Sequence, residues 1–415
     1  MPIKIPELLA PAGNLEKLVT AIHYGADAIY LAGKQYGLRA RAGNFTEKEM
    51  AEGIAFAHEA GVKVYVTVNI FAHNEDFIGL AEYLHEIAGR GADGIIIADP
   101  GILAVARREV PQLPVHLSTQ ANVTNMESAR FWQEQGAVRL NLARELSLKE
   151  ICGVRSGVDC ELEVFVHGAL CISYSGRCML SSYLTGRDAN RGACAHPCRF
   201  KYALMEEKRP GEYYPVEEDE RGTYIFNSRD LCLLEMLPQL MAAGVDSLKI
   251  EGRMKSIFYV GGVVRAYRAA LDYLAALPES AWELPELIKM PAYLMEEVSS
   301  LGTRGATENF IHERPGSSEM IYDSSRMEQV SEPVAVVRKA GEQPFVEMRN
   351  TVFPGEEIEY MGRAFAERQM VKIVALRSEE GEVKEKANPG NLLFLELEHP
   401  VAVEPRGIFR RNRDI

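Results

Sequence analysis

Several things are scarce in this sequence, and each scarcity excludes a class of protein. No apolar run approaches the length needed to cross a bilayer, so a membrane-spanning chain is not expected. The opening MPIKIPELLAPAG lacks the charged, apolar and small-residue succession of an export signal, and a cytoplasmic location is expected. Basic residues are in deficit, 46 against 59 acidic, for a net charge of −13; this disfavours indiscriminate nucleic-acid binding but not a local basic site. There is no HExxH zinc helix and no GxSxG nucleophile elbow, and no GxGxxG turn follows the first strand. Cysteine is missing from the first 151 residues and from the last 183.

What is present begins with a repeat. Apolar residues at 47% suffice for a full core, and 415 residues suit one large domain plus a smaller one. HYGADAIYLAG (23–33), HEAGVKVYVTVN (58–69), GRGADGIIIAD (89–99), EQGAVRLNLA (134–143) and AAGVDSLKIEG (242–252) share one pattern. A helix ends at a glycine that supplies the left-handed cap, and a short Val/Ile/Leu strand follows, buried on both faces as in a parallel sheet. ELLAPAG (7–13), VHLST (115–119) and ELEVFVHG (161–168) complete eight strands. The fold class expected is therefore α/β, a TIM-like (β/α)8 barrel over residues 1–275, with an open doubly wound sheet as the rival.

Strand seven ends near Gly168 and strand eight starts near Val245, so a long cysteine-containing insertion (169–232) interrupts the last repeat. Loops after barrel strands emerge on the catalytic face, which places this insertion over the active site. From Ala276 a Pro-punctuated helical bridge is expected to 330, and residues 331–415 alternate in short strands, predicting a small all-β, barrel-like domain.

Five of the seven cysteines lie between Cys171 and Cys232. Thiolates gathered on a Gly-containing loop suit a soft metal centre, zinc or iron–sulfur, and the spacing alone leaves the metal's identity open. Ordinary buried thiols, or a cysteine nucleophile with His167 or His196 as base, are the alternatives. Cys152 and Cys160 are expected to pack in the core.

Arginines concentrate where barrel loops converge: Arg39 and Arg41 after strand two, Arg144 after strand six, Arg177 in the insertion, and Lys249 and Arg253 at strand eight. Such a rim suits an anionic small molecule or an RNA backbone. The bland reading is that some pair with Glu163 or Glu251 to hold loops. Asn69, Gln120, His167 and Glu251 stand at strand ends, where polar side chains project into the catalytic face. His167 reads equally as a base or as a loop-orienting donor.

The segment EVFVHGALCISYSGRCMLSSYLTGRDANRGACAHPCRFKY, the opening ELLAPAGNLEKLVTAIHYGADAIYLAG and the later NSRDLC and LKIEGRMKS resemble peptidase family U-32, the collagenase-like protease family. Within it, the motif set is most similar to the tRNA uridine 5-hydroxylation branch. The resemblance implies a 4Fe-4S cluster on Cys171, Cys178, Cys194 and Cys232, with Cys198 as the spare thiol. It implies prephenate-linked hydroxylation of tRNA uridine, with tRNA or another RNA and a small anionic metabolite as partners, and room for a protein partner. Arg144, His167, Glu251 and Arg253 are then the expected catalytic group. Arg39, Arg41, Asn69, Gln120, Arg177 and Lys249 are the expected substrate contacts. A U-32-type peptidase, or oxygen-independent hydroxylation of another small aromatic, is the alternative.

Overall fold

The computed structural model describes residues 3–37, 44–170, 178–187, 194–195, 197, 204–205, 213–214, 218–219, 222–223, 229–303, 305–312, 329–365 and 369–413. Seven strands open the chain: β1 (Glu7–Pro11), β2 (Ala28–Leu31), β3 (Lys63–Val68), β4 (Gly94–Ile97), β5 (Val115–Leu117), β6 (Arg139–Asn141) and β7 (Glu161–Ala169). They pair in sequence order, all parallel, and β9 (Ser247–Ile250) joins β7 to β1 and closes the ring. The closed eightfold barrel expected from the repeat is what forms, and the open sheet is excluded.

The repeat glycines act as predicted. Gly25, Gly61, Gly91, Gly136 and Gly244, the five preceding the apolar runs, all have φ between +73° and +101°. A Cβ in that region costs about 1–2 kcal/mol, which explains the residue type at each helix-to-strand corner. Helix starts are equally local. Asn14, Thr46, Asp99, Asn125, Ser147 and Ser256 each cap a helix by accepting a backbone N–H, so Asp99, at a strand end, serves α4 (Pro100–Glu109).

β7 departs from regularity at the place that matters most. Phe165 pairs with Lys249 and His167 with Ile250, so one step on β9 spans two on β7, a β-bulge. Beyond it, β8 (Asp230–Cys232) returns antiparallel to β7, pairing Asp230 with Ala169 and Cys232 with His167. β10 (Ala306–Thr307) then adds parallel to β8. These two extra strands, absent from the sequence reading, tie the end of the insertion to the barrel.

After α9 (Ile257–Ala275) and α10 (Ala292–Ser300), a second sheet forms from β11 (Ser331–Lys339), β12 (Phe345–Met348), β13 (Glu357–Met361), β14 (Gln369–Arg377), β15 (Val383–Lys384), β16 (Leu392–Leu397) and β17 (Ile408–Asn412). Its antiparallel order β13-β17-β11-β12-β16-β14 closes through β13–β14, with β15 a hairpin on β14. Val334, Val346, Ile358, Ile373, Leu395 and Phe409 fill its own core. A buried ionic seam joins it to the barrel. Arg410 on β17 donates to both oxygens of Glu297 on α10 (2.8 and 2.9 Å) and to Glu359 (2.8 Å). Arg265 on α9 also reaches Glu297, at 3.2 Å.

Candidate active site at the barrel mouth

The barrel interior is polar in layers, as alternate strands contribute in turn. At the floor, Arg139, the first residue of β6, is bridged to Glu7 (2.5 Å), Glu161 (2.7 Å) and Glu163 (3.4 Å). Burial opposes its charge, but the Glu7 and Glu163 carboxylates outweigh it and hold the guanidinium firmly protonated. One layer up, Lys249 pairs with Glu163 at 2.7 Å and lies over the rings of Tyr30 and Phe165 (4.6 and 5.5 Å). Asn141 donates to the same Glu163 at 2.7 Å. Lys249, expected among the substrate contacts, is thus neutralised inside the barrel, the bland pairing weighed from sequence. Arg139 was missed; its signal was a cation two residues before Asn141, which puts both on one face of a strand whose middle residue, Leu140, faces the other way.

The mouth lies above these layers. Tyr30 donates to Glu251 Oε2 at 3.2 Å and to the Ile250 carbonyl at 3.0 Å. Arg253, 5% exposed, donates to Asn44 Oδ1 at 2.6 Å, while Lys17 Nζ donates to the Arg253 carbonyl at 3.0 Å. Burial, then the nearby Arg253 charge, lowers the Lys17 pKa. Gly13 permits this junction, because a Cβ there would stand 2.2 Å from the Arg253 carbonyl oxygen. Across the opening, Asn69 after β3 donates to Gln120 Oε1 at 2.7 Å, and Ser118 donates to the same oxygen at 3.2 Å. Arg144 donates to the Ala169 carbonyl at 3.0 Å and stacks over Phe165 at 5.2 Å, beside a small cavity also lined by Leu231, Glu308 and Ile311. Asn69, Gln120, Glu251, Arg253 and Arg144 therefore all stand at the C-terminal ends of barrel strands.

His167 does not share that face. The bulge breaks the alternation that would have set it with Glu163 and Phe165, and its ring packs between Tyr259 and Tyr267 of α9. It is 2% exposed, and burial is the main cause of a pKa lowered to about 4. A cross-strand Cys232–His167 pair exists, yet it lies beneath helices. The Cys232 sulfur is 3.9 Å from both the Tyr267 hydroxyl and the Met295 sulfur, and burial pushes its thiol up. A nucleophile needs a thiolate and access, and this pair has neither.

Among the expected cluster ligands, Cys178, Cys194 and Cys232 lie within the described residues, the first two half-buried and Cys232 buried. Ser181, in the first turn of α7 (Leu180–Thr185) just after Cys178, accepts from the Ala195 N–H at 2.9 Å. The Arg187 guanidinium donates to the Cys194 carbonyl at 3.4 Å. One turn thus ties the Cys178 and Cys194 segments together. Among the described residues no three His, Cys, Asp or Glu side chains group as a metal site. Cys171, Arg39, Arg41, Arg177, His196 and Cys198 lie outside the described residues. Cys152, expected in the core, is exposed on α6 (Leu148–Arg155), and Cys160 is half-buried.

No helix among the described residues is long and apolar enough to cross a membrane. The chain is 42% identical over 362 residues to tRNA hydroxylation protein P1 of Bacillus subtilis (strain 168), covering 86% of this chain and 84% of that protein. It is 37% identical over 400 residues to tRNA hydroxylation protein P of Escherichia coli (strain K12), covering 86% of each. The 23S rRNA 5-hydroxycytidine C2501 synthase of the same E. coli strain is 34% identical over 312 residues, covering 75% of this chain and 46% of that protein. The profile of peptidase family U32 matches residues 13–321, spanning the barrel, its insertion and the bridge. The chain belongs to peptidase family U32.

Proposed function

We propose that this protein is an RNA-modifying enzyme that hydroxylates a pyrimidine base, with tRNA uridine as the target and 5-hydroxyuridine as the product. The observation that carries the reading is likeness over most of the chain to relatives named for tRNA hydroxylation, and a further relative is named for 5-hydroxycytidine synthesis. The mouth supports it chemically. Amides (Asn69, Gln120), a carboxylate (Glu251) and an aromatic ring (Phe165) can hold a planar, uncharged base, whereas the described residues bring no accessible thiol–imidazole pair to that face for peptide hydrolysis.

Cys171, Cys178, Cys194 and Cys232 are the residues that would hold an iron–sulfur cluster, and Cys232 would have to lose its proton and turn out of its buried contacts with Tyr267 and Met295 to serve. The Ser181–Ala195 bond ties the Cys178 and Cys194 segments together, and β8, which carries Cys232, pairs with β7 up to Ala169, two residues before Cys171. Such a cluster would supply one-electron chemistry or a soft anchoring point. The chain's own residues would orient and desolvate the substrate, with Arg144 and Arg253 beside the position of an anionic co-substrate of the prephenate type. Anaerobic purification with iron and sulfide analysis, together with mass spectrometry of tRNA from a deletion strain, tests the reading. Four irons per chain and loss of 5-hydroxyuridine-type nucleosides are expected; unaltered tRNA would sink it.

A further inference from the structure

Gln120 carries an inference that rests on the hydroxylation reading above and takes it to one atom. The residue occupies the short turn Thr119–Ala121 after β5, on the mouth side, and is 4% exposed. Its Oε1 accepts from both Asn69 and Ser118. The Asn69 bond spans from the end of β3 to the end of β5, past the intervening β4, so the amide is gripped from two strands. Turning it over would set its Nε2 against the Asn69 amide nitrogen, donor against donor, while Ser118 could serve either orientation. The open end is therefore Nε2, which is buried and has no hydrogen-bond partner among the described residues. Thr67 Oγ1, two residues before Asn69 on the same face of β3, is likewise buried without a partner among the described residues. Folding alone gives no reason to keep an enclosed amide donor unmatched, since methionine fills a similar volume without desolvating an N–H. A missing acceptor accounts for both atoms.

We propose that Gln120 Nε2 donates to a carbonyl or carboxylate oxygen of the substrate bound in the barrel mouth, with Asn69 fixing the amide's orientation. A uracil ring extruded from its stack presents such oxygens at C2 and C4. Cytosine has an amino group at C4 and would meet this donor with another donor. A small anionic co-substrate offers the same acceptor chemistry through its carboxylate.

Two substitutions separate donor from scaffold. Gln120→Glu keeps the oxygen that Asn69 and Ser118 need and replaces the donor with an acceptor; Gln120→Met keeps only the volume. Each full-length protein is expressed in a strain lacking its own tRNA uridine hydroxylation, and nucleosides are quantified by mass spectrometry. Purified proteins are probed by saturation-transfer NMR with uridine 5′-monophosphate and with malonate. Both variants should stay folded and lose modification by roughly tenfold or more. Loss of the uridine monophosphate signal assigns the partner as a base carbonyl, and loss of the malonate signal assigns it as a carboxylate. Wild-type modification levels in both variants would overturn the inference while leaving the hydroxylation reading intact. A wild-type protein that fails to restore modification would overturn that reading and the inference with it. Unfolding of both variants, or lost activity with neither probe signal changed, would make Gln120 structural and end the assignment.

Discussion

At the floor of the barrel, Arg139 and Lys249 are met by Glu7, Glu161 and Glu163, and Asn141 and Ser247 add to the same network. At the mouth, Gln120 Nε2 and Thr67 Oγ1 are each buried with no hydrogen-bond partner among the described residues. Both regions enclose polar groups in a low-dielectric space, where an unmatched one is expensive. The charges of the floor are compensated within the fold, although Asn141 Oδ1 and His116 Nδ1 there are also buried without a hydrogen-bond partner among the described residues. What sets the mouth apart is position: Gln120 stands in the turn after β5 on the catalytic side, where a ligand that arrives later can meet its unmatched amide. The seam to the second sheet, where Arg410 and Arg265 share Glu297, resembles the floor in having its charges paired, although the Nε atoms of both arginines are buried without a partner among the described residues.

The strongest way to break this comparison is to open the floor. Arg139→Ala would leave the half-buried Glu7 without its cation while Glu163 keeps Lys249, which should cost about 3 kcal/mol, the lower end of the range for a broken buried pair. Urea unfolding measures it, and a loss below about 1 kcal/mol would show the network to be decorative. At the seam, Glu297→Ala should cost a similar amount at the lower end of the same range, about 3 kcal/mol, because Arg410 retains Glu359 while Arg265 loses its carboxylate. Limited proteolysis should then cut first between the barrel and the second sheet; an unchanged digestion pattern would argue that the apolar contacts suffice.

How far these regions were legible in the sequence differs for a physical reason. The barrel was readable because its signals are local: a glycine at φ above +70° before each buried run, repeated five times, specifies the corner whatever surrounds it. Ligand placement is not local. Strand period two set His167 with Glu163 and Phe165, and the bulge between Lys249 and Ile250 turned it toward Tyr267 instead. Lys249 stood on the right strand, but which carboxylate it meets depends on β7 and β9 pairing across some 80 residues of chain, as Glu163 shows. Asn69 and Gln120 were singled out correctly as strand-end residues, yet their bond across β4 leaves no trace in spacing. The extra strands β8 and β10 are too short, at three and two residues, to carry a periodic signal.

Acid sharpens the comparison further, because the floor also holds His116. Burial, reinforced by the positive charges of Arg139, Lys249 and Lys63, lowers its pKa well below the ordinary value, and its ring stacks edge-on against Tyr65. In the unfolded chain this imidazole takes up a proton near pH 6.5, whereas the folded one resists it. The unfolded state therefore binds more protons below that pH, and the stability present above pH 6.5 is lost as the pH falls. One group contributes at most about 1.4 kcal/mol per pH unit, so roughly 1–2 kcal/mol should go between pH 6.5 and 5. Chemical denaturation across that window, compared with His116→Gln, measures the difference; equal slopes for the two proteins would remove His116 from the account.

The smallest effect is the most discriminating, because its sign is opposite to the others. Thr67→Val deletes the orphan hydroxyl at the mouth and keeps the β-branched shape that β3 prefers. If that hydroxyl serves folding, its removal should destabilise like the floor substitutions. If it waits for a ligand, the variant loses only an unmatched group, so stability should hold or rise by up to about 1 kcal/mol. Ser118→Ala is the control, because its hydroxyl already donates to Gln120 Oε1; deleting it should cost about 0.5–1.5 kcal/mol. Thermal melts of the two variants side by side decide the matter. A destabilised Thr67→Val would erase the distinction between floor and mouth, whereas a neutral or stabilised one with impaired tRNA modification would mean that the protein keeps this hydroxyl for its substrate.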